Sequence, residues 1–169
     1  RDMATLNEYR HQKDIGGDLQ QFMEEIKFSC RDNGRTPMQW DSTANAGFTT
    51  GSPWIKTNPN YKYINTTTQE KNAESCLNYF RKIVSLRKNN ESLVYGKYTL
   101  LDKNNPDVYA YTRELNGKKF LVLLNFKNKI AAVNTGIDLT KTKALINNYP
   151  DASVNGTLKP YEAIVFEVL

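Results

Sequence analysis

The 169-residue sequence has one histidine and two cysteines. The histidine, His11, sits in the polar run YRHQKD and reads as an exposed side chain, so no histidine-based nucleophile system can be assembled. Cys30 and Cys76 lie far apart and match no metal-ligand or redox spacing. Reduced thiols in a cytoplasmic protein fit such a pair, and a single disulfide is the other reading. There is no Gly-x-Ser-x-Gly elbow and no phosphate loop. Acidic residues are plentiful, yet no two stand out as an acid and a nucleophile. On residue types alone the sequence offers no catalytic group, no metal ligands and no cofactor motif.

Long apolar runs are missing as well. The longest, FLVLLNF, is far short of the roughly 18 residues a membrane helix needs, so no membrane partner is expected. The opening RDMATLNEYR is charged, unlike a secretory signal peptide. Basic blocks are also absent. The 23 lysines and arginines exceed the 18 acidic residues by five but are scattered, as at Lys118-Lys119 or Lys141 and Lys143. Proteins that bind nucleic acid concentrate such charge on one face, so no nucleic-acid partner is expected. Three Asn-x-Ser/Thr sites, at Asn65, Asn90 and Asn155, are what chance gives an Asn-rich chain.

What remains is globular composition, 39% hydrophobic and 24% charged, enough for one ordinary domain or a small domain with a piece of another. The chain changes character near residue 92. Before it, helix and loop signals prevail. Asp2 and Asp18 each precede a helical pattern, the second with Leu19, Phe22, Met23 and Ile26 on one face. Thr67 and Glu70 read as a capping box for a helix starting near Gln69 and ending at RKNN, with an Asn as left-handed stop. Its apolar stripe runs through Leu77, Phe80, Ile83 and Val84. After Leu93 the period becomes two. LVYGKYTLL, DVYAYTREL, KKFLVLLNF, KIAAVN, KALIN and YEAIVFEVL read as short strands, with a two-residue hairpin turn at Asn116-Gly117. A small antiparallel sandwich is the expected outcome, with FLVLLNF buried on both faces.

Between the two helical regions lies a long irregular stretch, Arg31 to Asn65, too rich in Trp40, Phe48, Trp54, Tyr61 and Tyr63 for disorder. It reads as an ordered, packed loop. Its start, RDNGR, sets Arg31 and Arg35 around residues suited to a turn. Guanidinium forks suit carboxylates and sugar hydroxyls, and tryptophan rings suit the apolar faces of sugars. The structural alternative is that the arginines pair with acidic residues and the tryptophans fill a core.

RDNGRTPMQWD (31–41), GFTTGSPWIKTNPNYKYIN (47–65) and a helix ending IVSLRKNNESL together resemble glycoside hydrolase family 13, the α-amylase family. The likeness is to its oligo-1,6-glucosidase, α-glucosidase and trehalose-6-phosphate hydrolase branch. It is strong over residues 1–93 and looser beyond. The resemblance implies a fold that is mainly β with an α-helical N-terminal part. Residues 1–91 would be the loop after the eighth strand and the closing helix of a (β/α)8 barrel, and residues 92–169 a C-terminal antiparallel β-sandwich. It implies retaining hydrolysis of short α-glucosides by carboxylates that precede Arg1 in such chains. No catalytic residue and no cofactor therefore falls here. Arg31 would bind the glycone and Arg35 would line the aglycone side. The partner implied is an α-linked gluco-oligosaccharide or disaccharide. The closing helix would carry an apolar stripe made for absent barrel strands, and with it self-association of the isolated segment. Two other functions are weighed against this one, a free-standing carbohydrate-binding module and a purely structural β-domain.

Overall fold

The computed structural model describes residues 1–152 and 155–169. The chain folds as two compact units, Arg1–Leu77 and Asn78–Leu169. Helices dominate the first and an antiparallel sheet the second.

In the first unit α1 spans Met3–Asp14 and α2 spans Leu19–Ser29. Each starts where the sequence suggests. Asp2 caps α1, and Asp18 caps α2 by accepting from the amides of Gln20 and Gln21. The apolar face of α2 is only half covered, with Met23 exposed. Residues 31–65 contain three single 3-10 turns, Arg31–Gly34, Ala44–Gly47 and Pro59–Lys62. Backbone bonds order this stretch. The amides of Trp40 and Asp41 both reach the Ala46 carbonyl, and the amides of Thr66 and Thr67 reach the carbonyls of Gln39 and Trp40. Gly47, at φ +67°, closes the turn over the Asp41 carboxylate, where a Cβ would lie 2.7 Å from an oxygen. The expected aromatic packing does not follow. Trp40 is 51% and Trp54 60% exposed, so backbone hydrogen bonds rather than ring burial hold the loop.

The single helix expected from Gln69 is two. Short α3, Thr66–Lys71, is capped by Asn65, whose side chain accepts from the Thr68 amide while the Thr68 hydroxyl closes the box. Thr67 and Glu70 are not its cap. The Asn side chain, held by its own bond to the Tyr61 carbonyl, supplies the stronger acceptor two residues earlier. After a break, α4 runs Cys76–Lys88, and the Gln69 side chain accepts from the Leu77 amide at its start.

In the second unit α4 gives way to α5, Glu91–Tyr95, where a strand start was expected. No Asn at the end of α4 adopts a left-handed backbone. Instead the Asn90 side chain donates to the Leu86 carbonyl and satisfies the helix end from the side. Gly96 follows, its backbone so close to Ser92 and Glu114 that a Cβ would lie 2.3 Å from the Ser92 carbonyl. The strands are β1 Lys97–Leu101, β2 Val108–Leu115, β3 Lys118–Asn125, β4 Ala131–Ala132, β5 Thr142–Asn147, β6 Thr157–Leu158 and β7 Ala163–Val168. Five form an antiparallel sheet in the order β1-β2-β3-β7-β5, and β4 pairs with β6. Asn116 and Gly117, at φ 51° and 79°, make the β2–β3 turn as expected.

Strand β3 lies between β2 and β7, and Phe120 to Leu123 are buried on both faces, which accounts for the unbroken apolar run. The inner face packs Ala110, Leu121, Leu123, Ile164 and Phe166 against Ala131 and Leu158 of the two-stranded ladder. Each such Leu, Ile or Phe contributes about 1.5–3 kcal/mol by leaving water. The register sets the opposite face, with Tyr98 beside Arg113, and Tyr111 and Tyr109 beside Val122 and Leu124.

Candidate functional site

Asp2 is where the first unit concentrates its charge. As the cap of α1, its carboxylate accepts from the Thr5 amide at 3.3 Å and the Thr5 hydroxyl at 2.9 Å. The same carboxylate receives Arg31 Nη2 at 2.5 Å and Arg35 Nη1 at 3.4 Å. Arg35 also reaches Asp32 Oδ1 at 3.2 Å, and Asp32 Oδ2 accepts from the Asp2 amide at 2.9 Å. The amino group of Arg1 stands 2.8 Å from Asp32 Oδ2.

Local folding explains the convergence. Cys30 leaves α2 in an extended conformation, and RDNG then winds one 3-10 turn, closed by bonds from Asn33 to Cys30 and from Arg35 to Asp32. The Asn33 side chain pins that turn to the Lys27 carbonyl. Residues 31 and 35 are thereby both brought within reach of Asp2. The arginines do pair with acidic residues, as the structural alternative has it. The layering is uneven, however. The side chains of Asp2 and Asp32 are 5% and 14% exposed, those of Arg31 and Arg35 60% and 37%. Two carboxylates thus form a floor, and two guanidiniums sit above it with donors turned to solvent. Beside them a recess of about 670 Å³ is lined by Asp32, Asn45, Trp54, Lys56 and Thr57.

Charge pairing marks the carboxyls. The hydrogen bond from Arg31, helped by those from Thr5 and opposed by burial, lowers the Asp2 pKa from 3.8 to about 2. In this 169-residue chain the bond from the Arg1 amino group is the largest influence lowering Asp32, while the Asp2 amide and Arg35 add to it and do not depend on a free amino group. A carboxyl whose folded pKa is depressed stabilises the fold above its ordinary pKa, and that contribution is lost as pH falls through the lowered value. The window for Asp2 is therefore about pH 4 down to about 2. Circular-dichroism melts across that window should show the first unit losing stability, and Asp2→Asn should remove part of the slope. Asp32 and Asp41, also lowered, keep the rest. An Asn variant with the parental acid slope would disprove the assignment.

Arg31 and Arg35 are legible in the sequence as candidates, whereas Asp2 and Asp32 read there only as a helix cap and part of a turn. Their role depends on a contact between residues 2 and 31, which no local spacing announces. His11 is exposed on α1. Both cysteines are free. Among the described residues no group of three or more His, Cys, Asp or Glu could hold a metal ion, and no helix is long and apolar enough to cross a membrane.

Residues 2–96 match the family described as alpha amylase, catalytic domain. The chain is 44% identical to the oligo-1,6-glucosidase of Bacillus cereus, an alignment covering 99% of this chain and 31% of that one. Among solved structures it is similar to the trehalose-6-phosphate hydrolase of Bacillus licheniformis, at 36% identity and a TM-score of 0.90 over 99% of this chain and 32% of that one. Isomaltulose synthase of Klebsiella sp. LX3 is similar at 33% identity and a TM-score of 0.89, over 99% and 31%. The chain thus spans about a third of the length of the relatives it matches.

Proposed function

Because the chain belongs to the alpha-amylase family, we propose that it is the C-terminal part of a retaining α-glucosidase that hydrolyses short α-glucosides in carbohydrate catabolism. In this assignment Arg31 and Arg35 form part of the sugar-binding wall, Arg31 toward the glycone and Arg35 toward the aglycone. Residues 1–91 are the last loop and closing helix of the (β/α)8 barrel, and 92–169 a stabilising β-sandwich. A family match that stops at residue 96 supports a boundary in that region. The setting proposed is cytoplasmic, in keeping with two free cysteines. Linkage preference belongs to loops that precede residue 1 in such chains.

One observation carries the proposal: two guanidiniums four residues apart, fixed by buried carboxylates yet exposed themselves, in the segment that matches the family. A binding wall needs donors that are held in place before the sugar arrives, so that little ordering entropy is lost on binding. The carboxylate floor provides that. Barrel enzymes place their sites on the loops at strand C-terminal ends, where the 31–65 loop belongs under this assignment.

Titrating maltose and isomaltose into the 169-residue chain, followed by NMR, tests it. Weak binding should perturb residues 31–65 and leave the sheet silent. Perturbations confined to residues 92–169 would transfer the sugar site to the β-domain and favour a carbohydrate-binding module. No perturbation at saturating millimolar sugar would return the loop to a structural role.

A further inference from the structure

The second unit has a groove of its own. About 470 Å³ opens between α4 and the face of the sheet opposite the core, within the size range of small-molecule sites. Its walls are mostly apolar or aromatic, with Tyr79, Ile83 and Leu86 from α4 facing Tyr98, Tyr109 and Tyr111 from β1 and β2. The three sheet tyrosines form one cluster. Tyr111 lies 5.4 Å from Tyr98 and 5.3 Å from Tyr109, and the hydroxyls of Tyr98 and Tyr109 are 2.8 Å apart. Tyr98 and Tyr109 remain 42% and 40% exposed.

Into these walls the fold also places two cations, Arg87 and Arg113. Each donates to a backbone carbonyl, Arg87 to Leu93 at 2.5 Å and Arg113 to Val94 at 2.7 Å. Neither has an acidic partner among the described residues. Glu114 and Glu167, the two carboxylates within the described strands, are taken by Lys119 and Lys118. Arg113 Nε is a buried donor that no acceptor of the chain reaches. Burial pushes the Tyr111 pKa up, Tyr109 adds to that, and Arg113 and Arg87 oppose it, so both guanidiniums act on a single ring.

Arg87 is exposed, so its remaining donors are open to a ligand, while the buried Arg113 Nε, left unpaired, carries a desolvation cost that an acceptor would relieve. Two guanidiniums around one tyrosine cluster therefore suit an oxyanion, which their planar forks hold well. The rings beside them suit a flat body, which tyrosine faces contact at little entropic cost. We propose that this groove binds a small ring compound bearing a carboxylate or phosphate, with the oxyanion between Arg87 and Arg113 and the ring against Tyr98, Tyr109 and Tyr111. The site lies wholly within the second unit and does not depend on the glucoside assignment of the first.

The test is calorimetric titration of the 169-residue chain with four probes: phenyl phosphate, benzoate, benzyl alcohol and inorganic phosphate. Phenyl phosphate or benzoate should bind saturably at one site, and the tighter of the two identifies the anion. Benzyl alcohol, which lacks the charge, and inorganic phosphate, which lacks the ring, should each bind at least tenfold more weakly. Arg87→Gln should weaken the anionic probe by about tenfold. Tyr98→Ala, at a position 42% exposed on an edge strand, should weaken it severalfold while lowering the melting temperature only modestly. Arg113 ties down the Val94 carbonyl and Arg87 the Leu93 carbonyl, so Arg87→Gln is read together with its melting curve, and Tyr98→Ala, which removes no bond to the backbone, is the decisive variant. Equal binding of benzyl alcohol, or undiminished binding in Arg87→Gln, would overturn the proposal. Absence of saturable binding by both anions would overturn it too, and a concentration-dependent dimer in sedimentation would then assign the groove to a second copy of the chain.

Discussion

Arg31→Lys in the full-length enzyme should lower kcat/KM on a nitrophenyl α-glucoside by about 10²-fold or more while leaving the melting temperature nearly unchanged. The two halves of that expectation have separate physical origins. Lysine keeps a positive charge over Asp2, so the capped start of α1 and the carboxylate floor retain their counter-charge. What lysine cannot reproduce is the planar fork, which holds one bond to Asp2 and still presents donors to a sugar hydroxyl. Arg31 is also the more exposed of the pair, so little packing is lost with it. Arg35→Lys should act less strongly and in a way that depends on the leaving group, being larger on a disaccharide than on the aryl glucoside. Both arginines share Asp2, so the double variant should depart from additivity. Kinetics near those of the parent for Arg31→Lys would make the loop structural, and so would a collapsed melting temperature.

The 169-residue chain by itself should release no nitrophenol from an α-glucoside above a buffer blank. Retaining hydrolysis needs two carboxyls about 5 Å apart across the bond, one of them able to donate a proton near neutral pH. Asp2 and Asp32 do come together, yet cationic partners lower the pKa of both. Neither can then hold the proton that a leaving group requires. They serve as counter-ions to the arginines, and under the proposed assignment the catalytic pair lies outside this segment. Turnover above the blank, retained after a second chromatographic step, would sink the assignment of this segment as wall and support.

How much of this was legible in advance varied with the range of the interaction. Asp2 and Asp18 as caps, the Asn116-Gly117 turn and the doubly buried β3 were all readable, because each depends on residues a few positions apart or on a strong local pattern. The split between α3 and α4 was not, since the Gln69 side chain folds forward onto the Leu77 amide and starts a new helix where the apolar stripe runs on unbroken. Leu93 to Tyr95 look like strand by residue type but belong to a short helix, with Leu93 buried and the Arg87 guanidinium on its carbonyl. At the site, the arginines were visible through their spacing, whereas Asp2 and Asp32 became partners only once the turn after α2 returned the chain to the start of α1.

Strand order has a consequence in time. Strands β1, β2 and β3 are joined by short connections and can pair as soon as they exist, whereas β7 reaches β3 only after residues 126–162 have intervened. Contacts that distant in sequence close slowly. During synthesis, therefore, the strand with the most buried residues among those described waits with one flank unpaired until its last partner emerges. An open flank of that composition is a template for any passing chain. The interval between completion of β3 and arrival of β7 is thus the moment at which this fold is most exposed to misassembly, and residues 163–168 are what end it.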